Sequence, residues 1–157
     1  MEVMIQPTAN TFQERMGDFF ERMGQPRIAG RLFGYLLICH PPEQNAAQLK
    51  DAVGASTGSV STMLRLLRGA GFVESRGEPG GRRLWYRIPP GAFSRVLTLR
   101  MQLVSDLKAL AELGLEEIGT ETKDADRLLE MRACYAFFEH EFPAVVARYE
   151  TTVKSRT

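Results

Sequence analysis

Residues 45–71 read NAAQLKDAVGASTGSVSTMLRLLRGAG. Asn45 stands where a helix cap belongs, and Gln48 three residues later supplies the partner of a capping box. Ala46, Leu49 and Val53 recur at steps of three and four, which marks the inner face of a short helix. Gly54 suits the left-handed position that ends it. Only Ala55 and Ser56 intervene before the pattern restarts. Ser56 is a good N-cap for a second helix over Thr57 to Ala70, with Val60, Met63, Leu64 and Leu67 facing inward. Gly71 follows it, at a place where positive φ is common. The stretch predicts two helices joined by a tight turn.

Beyond Gly71 the period changes. FVESR (72–76) and RRLWYRI (82–88) flank the Gly/Pro-rich loop GEPGG (77–81), so a β-hairpin is expected. Leu84, Tyr86 and Ile88 alternate with Arg83, Trp85 and Arg87, and the first set is expected to point inward. Helix, tight turn, helix and hairpin is the order of a winged helix-turn-helix. The fold class is therefore mainly α with a small β-hairpin wing.

Working outward, Phe12, Met16, Phe19, Phe20 and Met23 form a helical stripe that Gly24-Gln25-Pro26 ends. A helix over about Arg27 to Cys39 follows, with Ile28, Leu32, Leu36 and Cys39 on one face, and His40-Pro41-Pro42 stops it. After Pro89-Pro90-Gly91 come two long stripes. One runs through Val96, Leu99, Leu103, Leu107, Leu110 and Leu113; the other through Leu128, Met131, Tyr135, Phe138, Phe142, Val145 and Tyr149. Pro143 is expected to kink the second. The chain thus divides into an N-terminal dimerisation helix (1–25), a winged domain (26–90) and a C-terminal helical dimerisation region (91–157). These outer stripes are more than the winged core needs. Exposed, they would form an apolar patch larger than monomers show, so a homodimer is expected.

The 157 residues carry a formal net charge of only +1, with 44% hydrophobic and 25% charged residues. The charge is unevenly spread. Between Ser56 and Ile88 there are six arginines against Glu74 and Glu78, a local +4, which leaves −3 for the rest. Duplex DNA admits one helix into its major groove, and that helix needs small polar side chains on its outer face. Ser56, Thr57, Gly58, Ser59, Ser61, Thr62 and Arg65 meet this need as a recognition helix. Arg76, Arg82 and Arg83 on the hairpin are the wing's candidates for phosphate or minor-groove contact. The alternative is a winged helix that docks an acidic protein. Apolar or acidic groups on the outer face would favour it, whereas that face is Ser, Thr, Gly and Arg.

Other classes find little support. No apolar run approaches the roughly 20 residues of a membrane span. MEVMIQPTAN has no export-signal pattern, so a cytoplasmic location is expected. Cys39 and Cys134 lie far apart with no CxxC spacing, and are expected reduced and buried. Neither cysteine nor His40 or His140 falls in a zinc motif, so no metal or other cofactor is expected. No nucleophile elbow, P-loop or dinucleotide fingerprint occurs, which argues against an enzyme.

The stretch AAQLKDAVGASTGSVSTMLRLLRGAGFVESRGEPGGRRLWYRI resembles the DNA-binding core of MarR-family regulators. The preceding string of Gly24, Pro26, Arg27, Ala29, Gly30, Arg31, Gly34, Leu36 and Leu37 resembles that of the GbsR-type branch. The likeness covers residues 12–90, and the last third matches only in being two helices. It implies a homodimeric repressor on a pseudo-palindromic double-stranded DNA site, often relieved by a small-molecule effector. In that case Phe12, Phe19, Tyr35, Tyr135 and Phe138 would be the candidate walls of an aromatic site for a choline-like cation. Aromatics at helical spacing are, however, core far more often than cage. One departure concerns the wing: many relatives brace the wing arginine with an acid two residues earlier, where this chain has Pro79-Gly80-Gly81.

Overall fold

The computed structural model of the chain describes residues 9–154; residues 1–8, read above for an export signal, and 155–157 lie outside it. The backbone forms two compact units, one running to Ala92 and one beginning at Phe93.

The first unit contains α1 (Ala9–Arg22), α2 (Arg27–Ile38), β1 (Gln44–Asn45), α3 (Ala46–Val53), α4 (Thr57–Gly69), β2 (Glu74–Gly77) and β3 (Leu84–Arg87). The expected capping box is formed. Asn45 Oδ1 accepts from the backbone N–H of Ala47 and Gln48 at 3.0 and 3.1 Å, and the Asn45 N–H donates to Gln48 Oε1 at 2.9 Å. Gly54 closes α3 in the left-handed region at φ +60°. Ser56 Oγ caps α4 by accepting from the Ser59 N–H at 3.2 Å. These two caps fix where each helix starts, and hence the tight turn between them.

The core of this unit is Leu32, Phe33, Leu36, Leu49, Val53, Val60, Leu64, Leu67, Val73 and Tyr86. It draws on α2, α3, α4 and the sheet, so it fixes the outward face of α4 by burying the opposite one. Leu32, Leu49, Leu64 and Leu67 are almost wholly enclosed; truncating one to alanine costs about 2–5 kcal/mol.

The sheet has three antiparallel strands in the order β1-β3-β2. Gln44 pairs with Tyr86 and Asn45 with Trp85, while Glu74, Ser75, Arg76 and Gly77 pair with Arg87, Tyr86, Trp85 and Leu84. The hairpin expected from the sequence is present, with β1 added at its side. The inward set is only partly as expected. Tyr86 is buried and Ile88 half-buried, but Leu84 is exposed. Leu84 pairs with Gly77 at the loop end of the ladder, where the partner offers no side chain and the core does not extend.

An ion-pair clasp and a glycine crossing join α1 to α2. Arg27 pairs with Glu14 and Asp18, and Arg31 Nε lies 2.7 Å from Glu14 Oε1. Arg31 also donates to the carbonyl of Val53 at 2.7 Å, satisfying a free acceptor at the end of α3. Between these charges Gly30 and Gly34, one helical turn apart, let α2 approach α1 at Met16 and Gly17.

The second unit contains α5 (Ala92–Ile118) and α6 (Ala125–Lys154), and Pro143 lies inside α6. Gly114 packs against Leu128, and Lys108 pairs with Glu139. Contacts climb one helix as they descend the other, which makes the pair antiparallel. Farther along, Met101, Val104, Phe142 and Val146 help line a recess of about 280 Å³. Both cysteines are free; Cys39 is half-buried, but Cys134 is exposed on α6, contrary to expectation. Its stripe neighbours Met131 and Tyr135 are half-buried, so Cys134 lies off the covered face of α6.

Candidate nucleic-acid interface

The burial of Val60, Leu64 and Leu67 turns the other side of α4 outward. Thr57, Ser61 and Arg65 follow one another at four-residue steps on that side, with Arg68 three residues on, and all four are exposed. This is one ridge of a helix, since residues three and four apart lie on one face. Two other predicted residues use their hydroxyls locally. Ser56 is the cap, and Thr62 donates to the carbonyl of Gly58 at 3.0 Å. Ser59 is half-buried. A Cβ on Gly58 would meet no atom within 4 Å, so the fold itself does not demand glycine there.

Arg65 and Arg68 also line an open recess of about 540 Å³ with Gly69, Val73, Glu74 and Ser75. Helix α4 and strand β2 therefore share one concave, arginine-edged surface. Arg68 was counted in the charge excess but not singled out as a site residue; its step from Ser61 and Arg65 was the available signal.

In the wing, Gly81 donates its N–H to the Glu78 carbonyl at 3.0 Å, and Glu78 donates to that of Arg83 at 3.0 Å. Pro79 followed by Gly80 at φ +74° suits a type II turn. Arg82 and Arg83 leave this turn exposed and, among the described residues, have no ion-pair partner. Arg76 and Arg87 differ. Arg76 pairs with Glu43, and Arg87 lies 3.4 Å from Glu43 and 2.6 Å from Glu74. The carboxylate bracing the wing thus comes from the loop before β1, outside the stretch whose charges were balanced in the sequence.

The five candidate effector residues are divided between the units. Phe12, Phe19 and Tyr35 belong to the first, and Tyr135 and Phe138 to the second. Phe19 touches Phe20, which begins a ring series through Phe33 to Phe72 in the core. Tyr35 directs its hydroxyl at Gln44 Oε1, 3.5 Å away, and Phe138 lies between Phe137 and Phe142. Neither unit gathers the five by itself. Among the described residues no cluster of three or more His, Cys, Asp or Glu forms a metal site, and no helix is long and apolar enough to cross a membrane. Burial pushes the Cys39 thiol up, which disfavours the reactive thiolate.

Comparison with known proteins agrees with this geometry. The HTH-type transcriptional regulator MmpR5 of Mycobacterium tuberculosis (strain ATCC 25618 / H37Rv) is 37% identical over 145 residues, spanning 92% of this chain and 88% of the relative. A crystal structure of a transcriptional regulator superposes with a TM-score of 0.84 at 36% identity, covering 92% of this chain and 99% of its own. Wild-type apo MarR of E. coli is far more distant, with 18% identity and a TM-score of 0.42 over 78% of this chain. The family model of MmpR5-like MarR family transcriptional regulators matches residues 91–152, the part for which the sequence resemblance offered only two helices. The chain belongs to the MarR family of transcriptional regulators, among its MmpR5-like members, and is not an enzyme.

Proposed function

We propose that this chain is a cytoplasmic, homodimeric repressor that binds a pseudo-palindromic site in duplex DNA. The observation that carries the reading is the ridge Thr57, Ser61, Arg65 and Arg68, held outward by a buried opposite face and accompanied by the unpaired wing arginines Arg82 and Arg83. Small hydroxyls and an arginine at the start of a groove-sized helix suit base edges, and wing cations suit phosphates.

The dimer reading rests on apolar surface. Leu99, Leu103, Leu110 and Leu113 of α5, with Phe137, Val145 and Tyr149 of α6, are exposed in the single chain. A second copy would bury them, and a two-fold pair presents two recognition helices to one duplex. Phe12 and Phe19 of α1, with Met23 just past its end, are also exposed and support a share for the N-terminal helix. Affiliation with the GbsR-type branch is supported by the string from Gly24 to Leu37, whose Gly30, Gly34, Arg27 and Arg31 form the α1–α2 crossing, and a choline-like effector would follow from that affiliation alone.

The test is fluorescence anisotropy with selected and random duplexes across a salt series. Arg65→Ala should weaken specific binding by about 1–3 kcal/mol and relax sequence preference. Arg82→Ala should weaken all duplexes evenly and flatten the salt dependence. A folded protein without affinity for any duplex at low salt would point instead to an acidic protein partner.

A further inference from the structure

We propose that Glu43 is a positioning residue for DNA recognition: it withholds Arg76 and Arg87 from the duplex and leaves Arg82 and Arg83 as the wing's contacts. This inference rests on the DNA-binding reading above and adds to it a determinant of affinity and salt dependence. The Glu43 carboxylate takes Arg76 on one side and Arg87 on the other, and Glu74 holds Arg87 from beneath at 2.6 Å. The Glu43 side chain is only 22% exposed, whereas that of Arg76 is 67% exposed. The acid is therefore the fixed member, and the arginine is held at the surface by it.

Its fixity has a local cause. Gln44, next in the chain, is buried and pairs with Tyr86 in the sheet. Its amide donates to the Pro41 carbonyl at 2.7 Å, and the Tyr35 hydroxyl is directed at its Oε1. Glu43 is thereby tied to the body of the winged unit while it grips both strands of the hairpin. Two consequences follow. The base of the wing is braced against the loop before α3, and two of its four arginines are charge-compensated. A phosphate contact is independent of sequence, so withholding these two cations lowers binding to every duplex alike and makes it less dependent on salt.

Glu43→Gln keeps the shape and removes the charge. Measured on a random duplex across a salt series, it should bind more tightly than wild type, with log K falling more steeply against log salt by about 0.9 for each arginine that reaches a phosphate. Affinity for the specific site should rise in the same proportion. Adding Arg76→Gln to Glu43→Gln should restore most of the wild-type slope. Should Glu43→Gln fail to fold, the single variant Arg76→Gln decides: it should leave the wild-type slope unchanged, whereas Arg82→Gln should flatten it. A slope unaltered by Glu43→Gln, a uniform loss of affinity in it, or an Arg76→Gln that flattens the slope as Arg82→Gln does would each overturn the inference alone. A wild-type chain with no affinity for any duplex would overturn the DNA reading and this inference with it.

Discussion

A Cβ placed on Gly30 would lie 2.4 Å from the carbonyl oxygen of Met16 and 2.9 Å from the Cα of Gly17. The obstacle is backbone in both cases, so no rotamer change relieves it. Gly30→Ala must push α1 off α2, lengthening the Arg27 and Arg31 pairs with Glu14. We expect a loss of at least about 1–3 kcal/mol, as overpacking costs in a tight contact. Thermal or urea unfolding measures it, and a variant as stable as wild type would contradict the crossing. Gly24→Ala is a poor control because φ there is +71°, whereas Gly69→Ala meets open space.

Gly58 gives the opposite result. Nothing in the protein occupies the space its Cβ would fill, and it lies in the first turn of α4. Gly58→Ala should raise stability by up to about 1 kcal/mol, since alanine loses less entropy in a helix. Duplex binding should nonetheless weaken, because the added methyl stands where DNA approaches. Unfolding and anisotropy on the same sample test the pair of effects. Unchanged DNA affinity would remove α4's first turn from the interface.

The Glu14 carboxyl is held below its ordinary range, chiefly by the hydrogen bond from Arg27, against burial that pushes it up, with the charges of Arg31 and Arg27 adding to the lowering. A carboxylate with a lowered folded pKa stabilises the fold above its unfolded pKa, and that contribution is lost as pH falls through the folded value. Wild type should therefore melt higher than Glu14→Gln at pH 7, and the gap should narrow as the pH falls below the ordinary carboxylate range toward the lowered value of Glu14. A gap independent of pH would show that the clasp acts through packing alone.

How much of this was legible in the sequence follows from the range of each signal. The caps Asn45 and Ser56 and the breaks at Gly54 and Gly71 act on neighbours a few residues away, so spacing alone located them. β1 left no periodic trace, because two residues cannot show a period; pairing with Tyr86 and Trp85 makes it a strand. Leu84 obeyed the alternation of its strand, yet the core stops short of it. Glu43 was missed because its partners lie 33 and 44 positions away. The string from Gly24 to Leu37 was read as a family signature, and its physical content is the close crossing and clasp of α1 on α2.

The proposed dimer rests on the exposed leucines of α5. Leu103→Glu and Leu110→Glu together place two charges on a face that a second copy would cover. Light scattering after gel filtration should give twice 17.6 kDa for wild type and the single mass for the variant. A variant that keeps the double mass would move the interface elsewhere.

In the proposed function, two copies read one duplex through paired α4 helices. Selection from a pool of random duplexes by the full chain tests it most directly. A dimer of this kind should enrich an inverted repeat whose half-sites are about 10 bp apart, centre to centre. Enrichment of a single unrepeated element, or none from a protein shown to be folded, would contradict it.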